Sequence, residues 1–168
     1  MINWNWHQNE DGSKRALLSD DGVYRLLLER WWDRSKPPLG FLMLNPSKAD
    51  HEVVDATIRR DIGFADREGA GGLIVGNLSP LRATDPRRLY RTIDRGEKAP
   101  VPLGEALGAE EYNDDDLMID GFAGCSKVVI AFGAFSGAKK RVRQVLRDRA
   151  VLLHSKLVAL GLEVVCLG

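Results

Sequence analysis

The chain has 168 residues, with 24 Lys and Arg against 24 Asp and Glu, so its formal net charge is zero. A protein that grips a long run of phosphates carries a basic excess, so a nucleic-acid partner would have to be held by a local patch. The 44% hydrophobic and 29% charged content excludes a disordered or fibrous chain. The length suits one domain that buries roughly two-thirds of its unfolded surface.

No apolar run approaches the roughly 20 residues of a membrane helix. The start, Met1-Ile2-Asn3-Trp4-Asn5-Trp6, has neither the basic nor the apolar region of a signal peptide. Cys125 and Cys166 are too few for a disulfide framework, and no CxxC or Cys/His array points to a metal. The expectation is a cytoplasmic protein with two buried thiols, no cofactor and no membrane partner. A neutral surface further suggests a monomer or a weak homo-oligomer.

Residues 16–32 read as a hairpin: Ala16–Ser19, the turn Asp20-Asp21-Gly22, then Val23–Trp32. Residues 1–36 form an N-terminal hairpin extension of a single domain spanning 1–168. After Pro37-Pro38 the pattern alternates. Gly40–Leu44 is an apolar run suited to a strand covered on both faces. Ser47 can cap the next helix, and Val53–Arg67 has helical spacing with Ile58, Ile62 and Ala65 inward. Leu73–Asn77 is a second buried strand, and Thr84-Asp85-Pro86 starts a short helix.

The stretch Gly96–Tyr112 reads as a long loop. Asn113-Asp114-Asp115-Asp116 then supplies a cap and an acidic first turn for a helix to about Ala123. Lys127–Phe132 is a third buried strand. Lys139 to about Lys156 is an amphipathic helix with Val142, Val145, Leu146, Ala150 and Leu153 on one stripe, and Leu162–Leu167 is a last strand. The sum is an α/β fold, a three-layer α/β/α sandwich with a mostly parallel central sheet and an N-terminal antiparallel hairpin.

In such sheets ligands bind outside the carboxyl ends of the strands. Three loops leave those ends: Asn45-Pro46-Ser47-Lys48-Ala49-Asp50-His51, Asn77-Leu78-Ser79-Pro80 through Asp85, and Gly133-Ala134-Phe135-Ser136-Gly137. Two open with an Asn, whose amide can read the edge of a pyrimidine or hold a water. Each Asn can equally cap a helix or close a turn.

The segments Phe41–Asp50, Asp55-Ala56-Thr57-Ile58-Arg59-Arg60, Val75-Gly76-Asn77-Leu78 and Arg82-Ala83-Thr84-Asp85-Pro86 resemble an uncharacterised bacterial and phage family, domain of unknown function 1643, from about Tyr24 onward. More distantly, Met43-Leu44-Asn45-Pro46-Ser47 and Ile74–Leu81 are similar to motifs of the uracil-DNA glycosylase superfamily, with Val129–Gly133 at its next strand and glycine turn. That resemblance implies excision or recognition of a base in DNA, with Asn45 positioning an attacking water and Asn77 bonding the extruded base. Asp50 joins Asn45 as a catalytic candidate. Pro46, Ser47, Phe41, Ser79 and Gly133 are candidate base contacts. In the superfamily a His-Pro-Ser segment follows the last strand, whereas this sequence ends at Cys166-Leu167-Gly168. The rival is therefore a nucleotide- or DNA-binding module without chemistry.

Extruding a base costs a few kcal/mol of unstacking, which needs a stacking surface and a backbone grip. Phe41, Phe135 or Trp31-Trp32 could stack, and each could equally be core. Lys139, Lys140, Arg141, Arg143, Arg147 and Arg149 fall within eleven residues, and Arg59, Arg60, Arg82, Arg87 and Arg88 lie on the rim helices. A solvated helix face is the plain alternative. A third reading has Asp50, His51, Asp55 and Asp61 holding a divalent ion for hydrolysis, against helix capping by the same carboxylates. Charge is uneven along the chain. Glu105 to Asp120 holds seven acids and no base, and the cations follow from Lys127 to Arg149. A DNA or nucleotide partner would then be bound weakly, through a short, salt-sensitive footprint.

Overall fold

The computed structural model describes residues 2–95 and 114–166. Seven strands form one mixed sheet: β1 (Trp4–Gln8), β2 (Lys14–Ser19), β3 (Arg25–Trp31), β4 (Pro38–Met43), β5 (Gly72–Asn77), β6 (Val128–Ile130) and β7 (Val164–Cys166). Their order is β1-β2-β3-β5-β4-β6-β7. Among the described residues the helices are α1 (Ala56–Arg67), α2 (Pro86–Asp94), α3 (Asp114–Gly121) and α4 (Lys140–Ala159).

The expected hairpin is β2–β3, turned at Gly22 with φ +67°. It is no appendage. β3 docks antiparallel on β5, with Leu28 opposite Val75 and Trp31 opposite Gly72, so the sheet runs unbroken from hairpin to parallel strands. Only the junctions β5–β4, β4–β6 and β6–β7 are parallel. The mostly parallel sheet expected from sequence is thus half antiparallel, and it gains β1. That strand, Trp4-Asn5-Trp6-His7-Gln8, is exposed over most of its length and has no buried face to announce it.

Two apolar clusters occupy opposite faces of the sheet, because strand side chains alternate. Leu17, Leu27, Leu42, Ile74 and Val128 join residues of α2, α3 and α4. Ala16, Leu28, Leu39, Phe41, Leu73, Val75 and Val129 join Ile58 and Ala65 of α1. Helix α3 approaches the first face closely. A Cβ on Gly76 would lie 2.9 Å from Met118 Sδ and from Phe122 Cζ, so the strand needs glycine there.

Helix α1 begins later than Val53. Its cap is Asp55, whose carboxylate accepts from the amides of Thr57 and Ile58, both at 3.0 Å, and not Ser47. Helix α2 starts as expected, with Asp85 accepting from Arg87 N at 2.9 Å and Pro86 in the first turn. The acids that open α3 are tied down one by one: Asp114 accepts from Trp4 Nε1 at 2.9 Å, Asp115 pairs with Arg149, and Asp116 with Lys156 Nζ at 2.7 Å. The long loop 96–112, the cap at Asn113 and the terminal Leu167-Gly168 lie outside the described residues.

Cys125 is buried and its thiol is pushed up to about 12 by that burial, with the nearby Glu29 charge adding to it. Cys166 is exposed, where burial was expected. Among the described residues no helix is long and apolar enough to cross a membrane.

Candidate functional site

The chain leaves β4 toward α1 on one face of the sheet and leaves the adjacent β5 toward α2 on the other. Neighbouring parallel strands with diverging connections open a crevice at their carboxyl ends. The loops that flank it are zipped together at its base. Leu78 N donates to Met43 O at 2.7 Å, Ser79 N to Leu44 O at 3.0 Å and Ala83 N to Pro46 O at 2.8 Å. Asn45 completes the zipper. Its Nδ2 donates to Ala83 O at 2.8 Å and Pro46 O at 3.1 Å, with Leu81 O at 3.5 Å.

Above this base lies a pocket of about 380 Å³. Ser47 and Lys48 line it from the β4 loop, Arg82 and Thr84 from the β5 loop, and Arg88 from α2. The hairpin turn Gly22-Val23 forms a wall. Arg82 organises this corner. Its guanidinium donates to Gly22 O and Lys48 O, each at 3.1 Å, and pairs with Asp50 Oδ2 at 3.3 Å. Its amide donates to Val23 O at 3.0 Å, so one residue fastens hairpin, β4 loop and β5 loop together.

Asp50 is half-buried, which opposes its charge. The amides of Val53 and Glu52, at 2.9 and 3.0 Å, and then the charges of Arg82 and His51 outweigh that burial and hold the carboxyl below its usual range. It is an ionised staple of the loop. Two arginines of β3 support the same loop from beneath. Arg25, 2% exposed, donates to Ala49 O at 2.6 Å, and Arg30, 3% exposed, donates to the carbonyls of Asp50 and Val53. Burial, then the neighbouring Arg82, pulls the Arg25 guanidinium down to about 9. Neither Arg25 Nε nor Arg30 Nε has a partner among the described residues.

Asn77 ends β5 at 2% exposure, and neither Nδ2 nor Oδ1 of its amide has a hydrogen-bond partner among the described residues. An unsatisfied buried polar group costs about 1–3 kcal/mol, so such a side chain is retained at a loss unless something else bonds it. Asp61 is another such group, with no partner for its Oδ2 among the described residues. It lies on the stripe of α1 that carries Ile58 and Ala65, and burial, reinforced by Asp55, raises its carboxyl to about 6.

The other sequence candidates divide clearly. Ser79 is fully buried and its Oγ accepts from Leu81 N at 3.3 Å, and Pro46 is buried too. Phe41 is 1% exposed with its ring edge-on to Phe64 in the core, so it has no face to lend a base. Phe135 stacks on Phe132 at 5.5 Å. Trp31 and Trp32 sit at the amino end of β5, opposite Gly72 and bonded to Ala70 O, and so are at the wrong end of the sheet to stack at the crevice. Gly133 is exposed with φ +68° on the β6 loop.

Arg59 and Arg60 are exposed on α1 and Lys140 and Arg141 on α4, while Lys139 is engaged by Asp94 at 2.6 Å. Arg149, expected on the basic face, is instead buried: it takes both oxygens of Asp115 and donates through Nε to Leu78 O at 3.1 Å. Among the described residues no three His, Cys, Asp or Glu converge in a way that could hold a metal ion, which leaves Asp50, Asp55 and Asp61 in the separate roles above.

Arg25 and Arg30 are the residues that sequence reasoning passed over. Their signal is two cations bracketing the leucines of a strand otherwise built for a core, Arg25-Leu26-Leu27-Leu28-Glu29-Arg30. The register shift where β2 meets β3 then turns Arg25 to the α1 face.

Fold and site together define a mixed α/β domain with a basic crevice at the carboxyl ends of its parallel strands. Residues 25–164 match the family described as Protein of unknown function (DUF1643), and the chain belongs to that family. No curated protein and no solved structure matches the chain.

Proposed function

We propose that the chain is a glycosylase-like domain that recognises a nucleobase in DNA at this crevice and hydrolyses its N-glycosidic bond. The observation that carries the reading is Asn77, a strand-terminal amide buried at 2% with donor and acceptor both unspent among the described residues. An extruded base offers the complementary pair on its Watson–Crick edge. Asn45 spends Nδ2 on three carbonyls, which leaves Oδ1 to accept from a water. That water attacks the anomeric carbon, the bond to the base nitrogen breaks with its electron pair passing to the base, and the water's proton ends on the departed base. Asp50, ion-paired with Arg82, orients that arginine and takes no proton. Layers of α1, sheet and α2–α4 make a three-layer sandwich of this kind. The domain works in the cytoplasm, without metal or cofactor, as a monomer or weak homo-oligomer.

A second reading is favoured by Asn45 itself. A side chain so bound to loop carbonyls has a complete structural role, as it would in a base-binding module without chemistry. One assay separates the two. Oligonucleotides bearing uracil, hypoxanthine, or hydroxymethyl or glycosylated pyrimidines are incubated with the protein, with and without EDTA, and abasic sites are cleaved by alkali. Excision that persists in EDTA and disappears in Asn77→Ala supports the enzyme. Binding without excision supports the module. Neither binding nor excision with any base overturns both.

A further inference from the structure

Among the described residues the pocket wall carries Lys48, Arg82 and Arg88 and no acidic side chain. Three positive charges are reduced by one through the Arg82–Asp50 pair, leaving two. Neither Lys48 Nζ nor the Arg88 guanidinium has a hydrogen bond or ion pair among the described residues, and the Ser47 and Thr84 side chains add two hydroxyls to the same wall. Arg82 itself is held in place by two carbonyls and a carboxylate, so its position is set before any ligand arrives.

We infer that this pocket is a binding site for a terminal phosphate, a phosphomonoester dianion, at the end of the nucleotide whose base the crevice reads. The charge decides between phosphate types. A monoester carries about −1.5 to −2 at pH 7 and matches the residual two positive charges, whereas a backbone diester carries one negative charge. On one side the pocket is lined by the uncharged hairpin turn Gly22-Val23. The two hydroxyls and the paired fork of an arginine suit the multiple oxygens of one phosphate. The inference rests on the nucleobase reading for the identity of the attached group, while the phosphate site stands on the pocket alone.

The test uses the whole chain and one fluorescent oligonucleotide made with either a 5′-phosphate or a 5′-hydroxyl, compared by anisotropy at low salt. The 5′-phosphate is expected to tighten binding by about tenfold or more, as charge-assisted hydrogen bonds imply. Lys48→Gln and Arg88→Gln should each erase most of that preference, weakening the 5′-phosphate oligonucleotide several-fold more than the 5′-hydroxyl one. Both side chains are exposed, and a thermal melt verifies that the variants fold. Nucleoside 5′-monophosphate and inorganic phosphate serve as competitors. Displacement by the monophosphate, with no oligonucleotide binding, assigns the site to a free nucleotide; the phosphate site then stands and the DNA reading falls. Equal affinity for the two ends, with no competition by either phosphate, overturns the inference. If Asn77-dependent base discrimination survives that result, the nucleobase reading stands without it.

Discussion

Arg149 and Arg25 are equally buried, on opposite faces of the same sheet, and their surroundings differ in one respect. Arg149 has both oxygens of Asp115 and the carbonyl of Leu78, so its charge is neutralised and its donors are used. Arg25 has the carbonyl of Ala49, an unused Nε, and a second buried arginine nearby that is likewise bonded to carbonyls. A buried ion pair that is complete fixes helices to a sheet. Buried cations resting on carbonyls hold a loop and leave the local charge positive. The Arg149–Asp115 joint is therefore complete, whereas the arginines under the 45–55 loop keep polar capacity unspent.

That contrast can be broken most forcefully at Arg149. Arg149→Met strands the Asp115 carboxylate in the core and should cost about 3–5 kcal/mol in urea unfolding, with Asp115→Leu in the same chain restoring most of it. Arg25→Met removes a cation with no direct carboxylate, so its loss should be no more than about 1–2 kcal/mol. The effect would instead concentrate in faster amide exchange at residues 49–53. Equal losses in the two variants would end the distinction between the faces.

A smaller effect tests the unspent polarity of α1. The Asp61 carboxyl sits at about 6 in the folded chain, above its ordinary value, mainly through burial. Between those two values the folded state holds the proton that the unfolded state has lost, so this group lowers stability as pH rises through the window. Asp61→Asn should match the wild type near pH 4 and gain on it toward pH 7, by on the order of 1 kcal/mol after allowance for solvent screening. Thermal melts across that range read the crossover, and a pH-independent difference would count against it.

The smallest stability effect should come from the most informative residue. The Asn77 side chain has no hydrogen-bond partner among the described residues, so Asn77→Ala should lower stability by no more than about 1 kcal/mol while removing base discrimination. A large loss of stability would assign Asn77 to the scaffold.

The rim loops were legible because strand ends are legible. Apolar runs at Gly40–Leu44 and Leu73–Asn77 fixed where Asn45 and Asn77 emerge, and the Asp85-Pro86 start of α2 followed from capping chemistry. What stayed hidden was non-local. Nothing in the hairpin says which sheet edge it joins, so the antiparallel β3–β5 seam, and with it Arg25 and Arg30 beneath the loop, could not be read. β1 lacked a buried face, and Arg149 looked like its solvated neighbours because its partner lies 34 residues away in Asp115. The start of α1 was misplaced for the same reason, since tertiary bonds to Ala49, Asp50 and Val53 hold that stretch out of the helix.

The turn at Gly22-Val23 contributes to the crevice through its main chain, with two carbonyls aimed at Arg82. Both bonds use main-chain oxygens and so do not depend on which side chains stand at the tip. Substitutions there can retune the size and polarity of the opening while the arginine stays anchored, provided residue 22 keeps its left-handed conformation. The hairpin tip is thus a place where the sequence can change with little disturbance to the loops it fastens.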